Sequence, residues 1–532
     1  LPFRARKITF ALPVPIMRSF LSCGVAAVLL ALTARADVTL GPLFVDHAVL
    51  QRDKPVAVWG RADPGETVTV SYLLHRGSAA AGRDGRWIVL LDAMAADAVG
   101  GDLVAAGKTT VTLHDVVVGE VWLASGQSNM EFVVDDPTGA VYHVDRAAEE
   151  VAAANYPLIR HFKVAHQVSA LPSDEAGGSW QPCSPATVRQ FSAVSYFFAR
   201  DLFRRLNVPI GIINSSWGGT PVESWMSSLA LAGDPRFAVV GQRWRQNLAD
   251  YPRAQAEAGA ALAVWNRDAA AARAKGPASF AQFGQTHPKP RPARGPGNSW
   301  TPMGLFNGMI NPLLPYALRG AIWYQGESNT DRAAEYHGLF AAMITAWRAH
   351  FGQGDFPFYW VQLANYTPAG DFTHQTWAFL REAQSAALSL PNTGQAVTID
   401  LGDPANLHPP NKQEVGRRLA LLAKVNTYGI PGDCSGPVFV SASTEGPVLR
   451  LHFKFADAGL TAADKPLQSF EIAGADRQYH PATALIAGDT VVVHSPAVPA
   501  PVAVRYAWRN APEANFYNGA GLPAAPFRSD RW

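Results

Sequence analysis

Three apolar runs in this chain end in the same way. "GEVWLAS" runs into Gly126-Gln127-Ser128-Asn129, "VPIGIIN" into Trp217-Gly218-Gly219, and "RGAIWY" into Gln325-Gly326-Glu327-Ser328-Asn329. Short apolar segments bounded by Gly-rich polar loops read as strands buried on both faces. Between the first two lies a helical period over 192–206, with Val194, Phe198, Leu202 and Leu206 on one face. Strand, helix and strand at this spacing predict a parallel sheet flanked by helices. The polar loops then share the carboxyl rim of the sheet, where open α/β folds bind ligands.

The chain of 532 residues is too long for one core. Met17-Arg18 followed by an apolar run and an Ala34-Arg35-Ala36 ending reads as a secretory signal peptide, with residues 1–16 an upstream remnant. We therefore expect an exported protein, periplasmic or extracellular, with no membrane insertion after signal removal. Residues 37–115 alternate like short strands, among them "PVAVWG", "ETVTVSYLL", "GRWIVLL" and "KTTVTLHDVVV", and predict an N-terminal β-sandwich. The α/β domain occupies 116–230 and 301–428. It is interrupted at 231–300 by an Ala-rich helical tract and the Pro-rich "HPKPRPARGPG". A second β-module fills 429–532.

The formal charge of +2 turns slightly negative once residues 1–36 are set aside, because they carry Arg4, Arg6, Lys7, Arg18 and Arg35 and no acid. That leaves no basic field for nucleic acid. Cys23 falls in the leader, so Cys183 and Cys434 are the two thiols left to pair or stay free. No Cys cluster, His-Glu-x-x-His or acidic calcium loop calls for a metal, and none is expected.

Ser128 has two readings. Ser128-x-x-Glu131 is a capping box, in which the hydroxyl serves a free helix N–H. The same turn also presents a serine, with Gln127 beside it, where a helix start stabilises negative charge on an attacked carbonyl oxygen. A nucleophile needs a base, and His408 sits in "DLGDPANLHPPNK", after the expected buried strand Ala396–Ile399 and before a helix carrying Val415, Leu419 and Leu422. Asp400 and Asp403 stand upstream, placed to orient an imidazole. The alternative is a turn that Asp403 caps through its own backbone. Gly218 and Gly219 supply backbone N–H groups for an oxyanion, and Gln325, Glu327 and Asn329 supply polar side chains, although a Gly-Gly pair also makes a plain tight turn.

Taken together, "GQSNME", "NSSWGGTPVESW", "WYQGESN" and "DLGD…LHPPNKQEVGRRLA" resemble the sialate O-acetylesterase family within the SGNH, or GDSL-like, hydrolases. The resemblance extends to "LFVDHAVLQRDKPVAVWGRADPGETVTV" and "VRYAWRNAPEANFYNGAGLPAAPFRSD", which look like the β-modules that flank the esterase domain in such proteins. It implies a three-layer α/β/α esterase domain, Ser128 as nucleophile, His408 as base, a glycine of Gly218-Gly219 as an oxyanion donor and Gln325 as the side-chain donor. The superfamily usually writes Gly-x-Asn-Asp at the third block, so Asn329 is the alternative donor and Glu327 an orienting residue. The usual Asp-x-x-His would need aspartate at 405, where this chain has Ala405. The acid is then Asp403, with Asp400 or a Ser-His dyad as alternatives.

The resemblance further implies cofactor-free hydrolysis of an O-acetylated carbohydrate, either sialic acid or a plant polysaccharide such as xyloglucan or xylan. Trp217, Trp225 and Trp323 near the motifs are assigned to packing, with sugar stacking as the other use. Two other classes compete: a non-catalytic sugar-binding protein with a decayed site, and a lipase or thioesterase, which needs an apolar acyl channel.

Overall fold

The computed structural model describes residues 37–136 and 143–532. The leader expected at 17–36 lies outside them. The central sheet runs in the spatial order 180–183, 156–163, 210–216, 110–126, 320–324, 358–361 and 393–396, parallel throughout except for the antiparallel edge strand Trp180–Cys183. The register puts Trp323 level with Ser125, three residues on from Trp122, so the two indoles point to opposite faces. Trp122 packs edge-on to Phe198 of the helix Ala193–Leu206, and Trp323 packs on Phe340 and Trp347 of the helix Ala333–Phe351. Helices thus cover both faces, in three layers.

The expected boundary at 115/116 falls inside a single strand. Thr110–Gly126 pairs with 97–106 of the N-terminal module through its first half and with 210–216 and 320–324 through its second. The module and the esterase sheet therefore share a hydrogen-bonded backbone. The strands 75–80 and 97–106 have too many small and polar residues to announce themselves in the sequence.

The strand expected through Ala396–Ile399 stops at Ala396. Val397 and Ile399 leave the sheet for the core of the C-terminal module, among Leu451, Val491, Val493 and Tyr506. Their apolar character is real, but it serves a different core. In that module two four-stranded antiparallel sheets carry these residues. The Ala-rich tract forms one helix, Ala238–Ala274, with Pro252 inside it and only Val240, Ala269 and Ala272 buried. Cys183 and Cys434 are unpaired. Among the described residues, no helix is long and apolar enough to cross a membrane.

Candidate active site

The long strand ends at Gly126, with φ +139°, where a Cβ would lie 2.1 Å from the Tyr324 carbonyl oxygen. That close approach lets the Gln127 N–H donate to Tyr324 O at 2.9 Å and turns the chain sharply into the helix Ser128–Glu131. Gln127 is the N-cap, and Ser128 is the first helical residue, so the capping box does not form. The Ser128 hydroxyl is instead 2.7 Å from His408 Nε2. Two residues 280 apart in sequence meet on the carboxyl rim.

Burial, followed by the charge of Lys412, pushes the His408 imidazole down to about 4. The Asp403 carboxylate accepts the Ala405 N–H at 2.8 Å, closing its own turn, and the structure does not bring it to the imidazole. Asp400 is held by Arg418 through two bonds of 2.6 and 2.8 Å. The Asx-turn alternative describes Asp403, and the reason is local: with Pro404 and Ala405 following, the nearest N–H lies two residues away.

The oxyanion assignments shift as well. The Gly218 N–H donates to Glu131 Oε2 at 2.7 Å and is committed. Gly219, exposed and with φ +71°, has no hydrogen-bond partner for its N–H among the described residues. Its carbonyl accepts the Trp300 indole N–H at 2.8 Å. The amide group of Gln325 is spent on Asn329 Oδ1 at 2.8 Å and Thr220 O at 3.1 Å. Asn329 in turn accepts the Val222 N–H and donates to Glu223. Both side chains brace the loop 220–225 against the loop 325–329, because their buried amides find partners in each other and in the loop 220–225 before they reach the pocket. Gln127 Oε1 accepts from the N–H groups of Gly326 and Ser328 at 3.4 and 3.3 Å.

Residues 299–424 match the family model described as carbohydrate esterase, sialic acid-specific acetylesterase. The sialate O-acetylesterase of Homo sapiens is 30% identical over 423 residues, spanning 72% of this chain and 69% of that one. That of Rattus norvegicus is 29% identical over 533 residues, spanning 91% and 92%. A carbohydrate acetylesterase from Xanthomonas citri, known from its crystal structure, is 40% identical and superposes with a TM-score of 0.77 over 93% of this chain and 100% of that one. The chain belongs to the sialate O-acetylesterase family. It is an acetyl-ester hydrolase.

In this esterase a buried polar chain lies beneath the Ser128–His408 contact. Glu327 Oε1 accepts the Asn129 amide at 2.6 Å, Asn129 also donates to Leu407 O, and Lys412 Nζ donates to Asn129 Oδ1 and Pro409 O, each at 2.7 Å. Burial pushes the Lys412 ammonium down to about 7, with the Glu327 charge opposing, and pushes the Glu327 carboxyl up. Asn129 neighbours Ser128, and Lys412 follows the His408 loop, so this chain ties the two elements of the contact together.

Asn129 and Lys412 stand inside the quoted motifs, yet nothing in the sequence separates a buried lysine from the usual solvated one. His166 carried no signal at all. Its ring stacks on Trp217 at 4.0 Å and 5°, and its Nε2 lies 2.9 Å from Glu131 Oε1. Trp225 and Trp323 are fully buried, as packing required, whereas Trp217 is only partly covered. Trp300, from the tail of the 231–300 segment, reaches the site and carries the Arg294 guanidinium 3.2 Å above its ring.

Proposed function

We propose that Ser128 is the nucleophile of a carbohydrate O-acetylesterase. Its Oγ attacks the acetyl carbonyl while His408 Nε2 takes the proton, and His408 then returns that proton to the departing sugar oxygen. Water, deprotonated by the same imidazole, hydrolyses the acetyl-enzyme to acetate and free Ser128. The 2.7 Å contact between Ser128 Oγ and His408 Nε2 carries this reading. Burial keeps the His408 imidazole neutral, the form that accepts a proton, at some cost in proton affinity.

The charge that develops on the acetyl oxygen is met by the Gly219 N–H and by the Ser128 N–H, one of the unsatisfied amides of a helix start. Asp403 helps only by fixing the loop that carries His408. The substrate is an O-acetylated sugar, either sialic acid or a plant polysaccharide such as xyloglucan, and the run Met17–Ala36 supports export to where such sugars occur.

Acetate release by wild type and Ser128→Ala from O-acetyl sialoside, acetylated xyloglucan and acetylated xylan tests this. Serine-dependent release from one of them is the expected outcome and names the sugar. Release that survives Ser128→Ala overturns the mechanism. Sugar binding without release favours a non-catalytic role, and a preference for long acyl chains favours a lipase or thioesterase.

A further inference from the structure

Gly219 can hold an oxyanion only if its N–H points at the reacting carbonyl, and that direction is set by Gly218, the preceding residue. Gly218 lies against the nucleophile helix, where a Cβ on it would sit 3.3 Å from Ser128 Cβ. Its own N–H is anchored to Glu131 Oε2 at 2.7 Å. The other oxygen, Glu131 Oε1, faces His166 Nε2 at 2.9 Å, and the Ser216 carbonyl faces the same nitrogen at 3.1 Å. With two acceptors in front of it, Nε2 carries a proton, which fixes the donor that holds Glu131. Trp217 stacked flat on the ring keeps the imidazole in that plane. The side chains of His166 and Glu131 are 35% and 23% exposed, so the pair lies at the edge of the site and outside the packed core.

We propose that Glu131 and His166 are positioning residues for the oxyanion loop. Glu131 orients the Gly218–Gly219 peptides by accepting the Gly218 N–H, and His166 holds Glu131 in place. Glu131 belongs to the same four-residue helix as Ser128, so one element fixes both the hydroxyl that attacks and the loop that receives the charge. Burial pushes the Glu131 carboxyl up, but the His166 contact and the Gly218 N–H outweigh it, and the group is held below its usual range as an acceptor. The inference rests on the proposed role of Ser128 and adds to it.

The test compares Glu131→Ala, Glu131→Gln, His166→Ala and His166→Gln on p-nitrophenyl acetate and on the sugar ester that wild type turns over, with Ser128→Ala alongside. A displaced oxyanion donor lowers kcat and leaves KM nearly unchanged. Loss of one such donor outright costs about 100-fold or more, so Glu131→Ala should lose roughly 10- to 100-fold in kcat, equally on both substrates. His166→Ala should lose less. Glu131→Gln keeps an acceptor for Gly218, and His166→Gln keeps an N–H near the Nε2 position, so each should recover most of the activity.

Folded Glu131→Ala with kcat within twofold of wild type overturns the proposal. So does a loss confined to KM for the sugar ester, which would make the pair sugar contacts. If Glu131→Ala does not fold, a Glu131→Gln variant as impaired as Ser128→Ala is the overturning result, because it retains the acceptor. Full activity of Ser128→Ala would instead defeat the underlying nucleophile assignment, whatever the pair does.

Discussion

Acid should inhibit this enzyme later than it inhibits a typical histidine-dependent hydrolase. With His408 as the proposed base, the base limb of kcat/KM reports its free imidazole, which burial and the neighbouring Lys412 charge push from 6.5 to about 4. At pH 5 a base of that strength is about 90% neutral, whereas an unperturbed one is about 3% neutral, a ratio of about 30 in kcat/KM. The assay is acetate release from a small acetyl ester between pH 3.5 and 9, paired with melting at each pH. The pairing matters because the folded value lies below the unfolded one. The unfolded chain takes up the proton first, and this group's contribution to stability falls as pH drops from 6.5 towards about 4. Lys412→Met removes the second cause and leaves burial, so its inflection should move up from about 4 yet stay below 6.5. That variant also strips the donor from Asn129 Oδ1 and Pro409 O, at about 1–3 kcal/mol for each stranded acceptor, so it needs a stability control. A wild-type inflection near 6.5, or a downward move in Lys412→Met, would refute the reasoning.

Three further outcomes are expected. Ser128→Ala should lose roughly 10⁴-fold or more in kcat, yet keep its melting temperature, because the hydroxyl is not the helix cap whose removal costs about 1 kcal/mol. Asp403→Ala should keep kcat/KM within about tenfold, since the carboxylate serves its own turn; a loss approaching about 10⁴-fold, as when a triad acid is disabled, would restore it to the triad. Trp300→Phe keeps the ring and deletes the N–H that holds the Gly219 carbonyl, so kcat should fall several-fold for about 1 kcal/mol of lost hydrogen bonding, with stability little changed.

What the sequence discloses here follows from which physical signals are local. The three apolar strand ends and the 192–206 helix period lie in short windows, and the central sheet follows them closely. Ser128 was legible as a candidate because it follows a strand end directly, and His408 because it stands in the polar loop between a strand and a helix. Ala396–Ile399 misled because apolarity says that a residue is buried and not in which core; Val397 and Ile399 belong to the C-terminal module. Gln325 and Asn329 misled because an amide beside a pocket and an amide bracing two loops look alike in one dimension. His166 could not be found, since its value depends on Trp217, 51 positions away, and on Glu131, 35 positions away.

The buried charges explain why a strand-end position becomes a 2.7 Å contact. A strand end fixes Ser128 closely, but His408 lies twelve residues beyond Ala396 in a long loop with Asp403 to Asn406 exposed. Asn129 closes that gap: it belongs to the serine helix, takes the Lys412 ammonium from the histidine side, and is itself held by Glu327 from the third strand end. Each ion is costly to bury alone, and removing one partner of such a set leaves the other uncompensated, typically at about 3–5 kcal/mol. The same lysine that secures the loop also lowers the basicity of His408, so position is gained at the expense of proton affinity. That exchange is tolerable because attack on an ester depends steeply on the placement of the hydroxyl and its base, whereas a base of low basicity is neutral over most of the pH range.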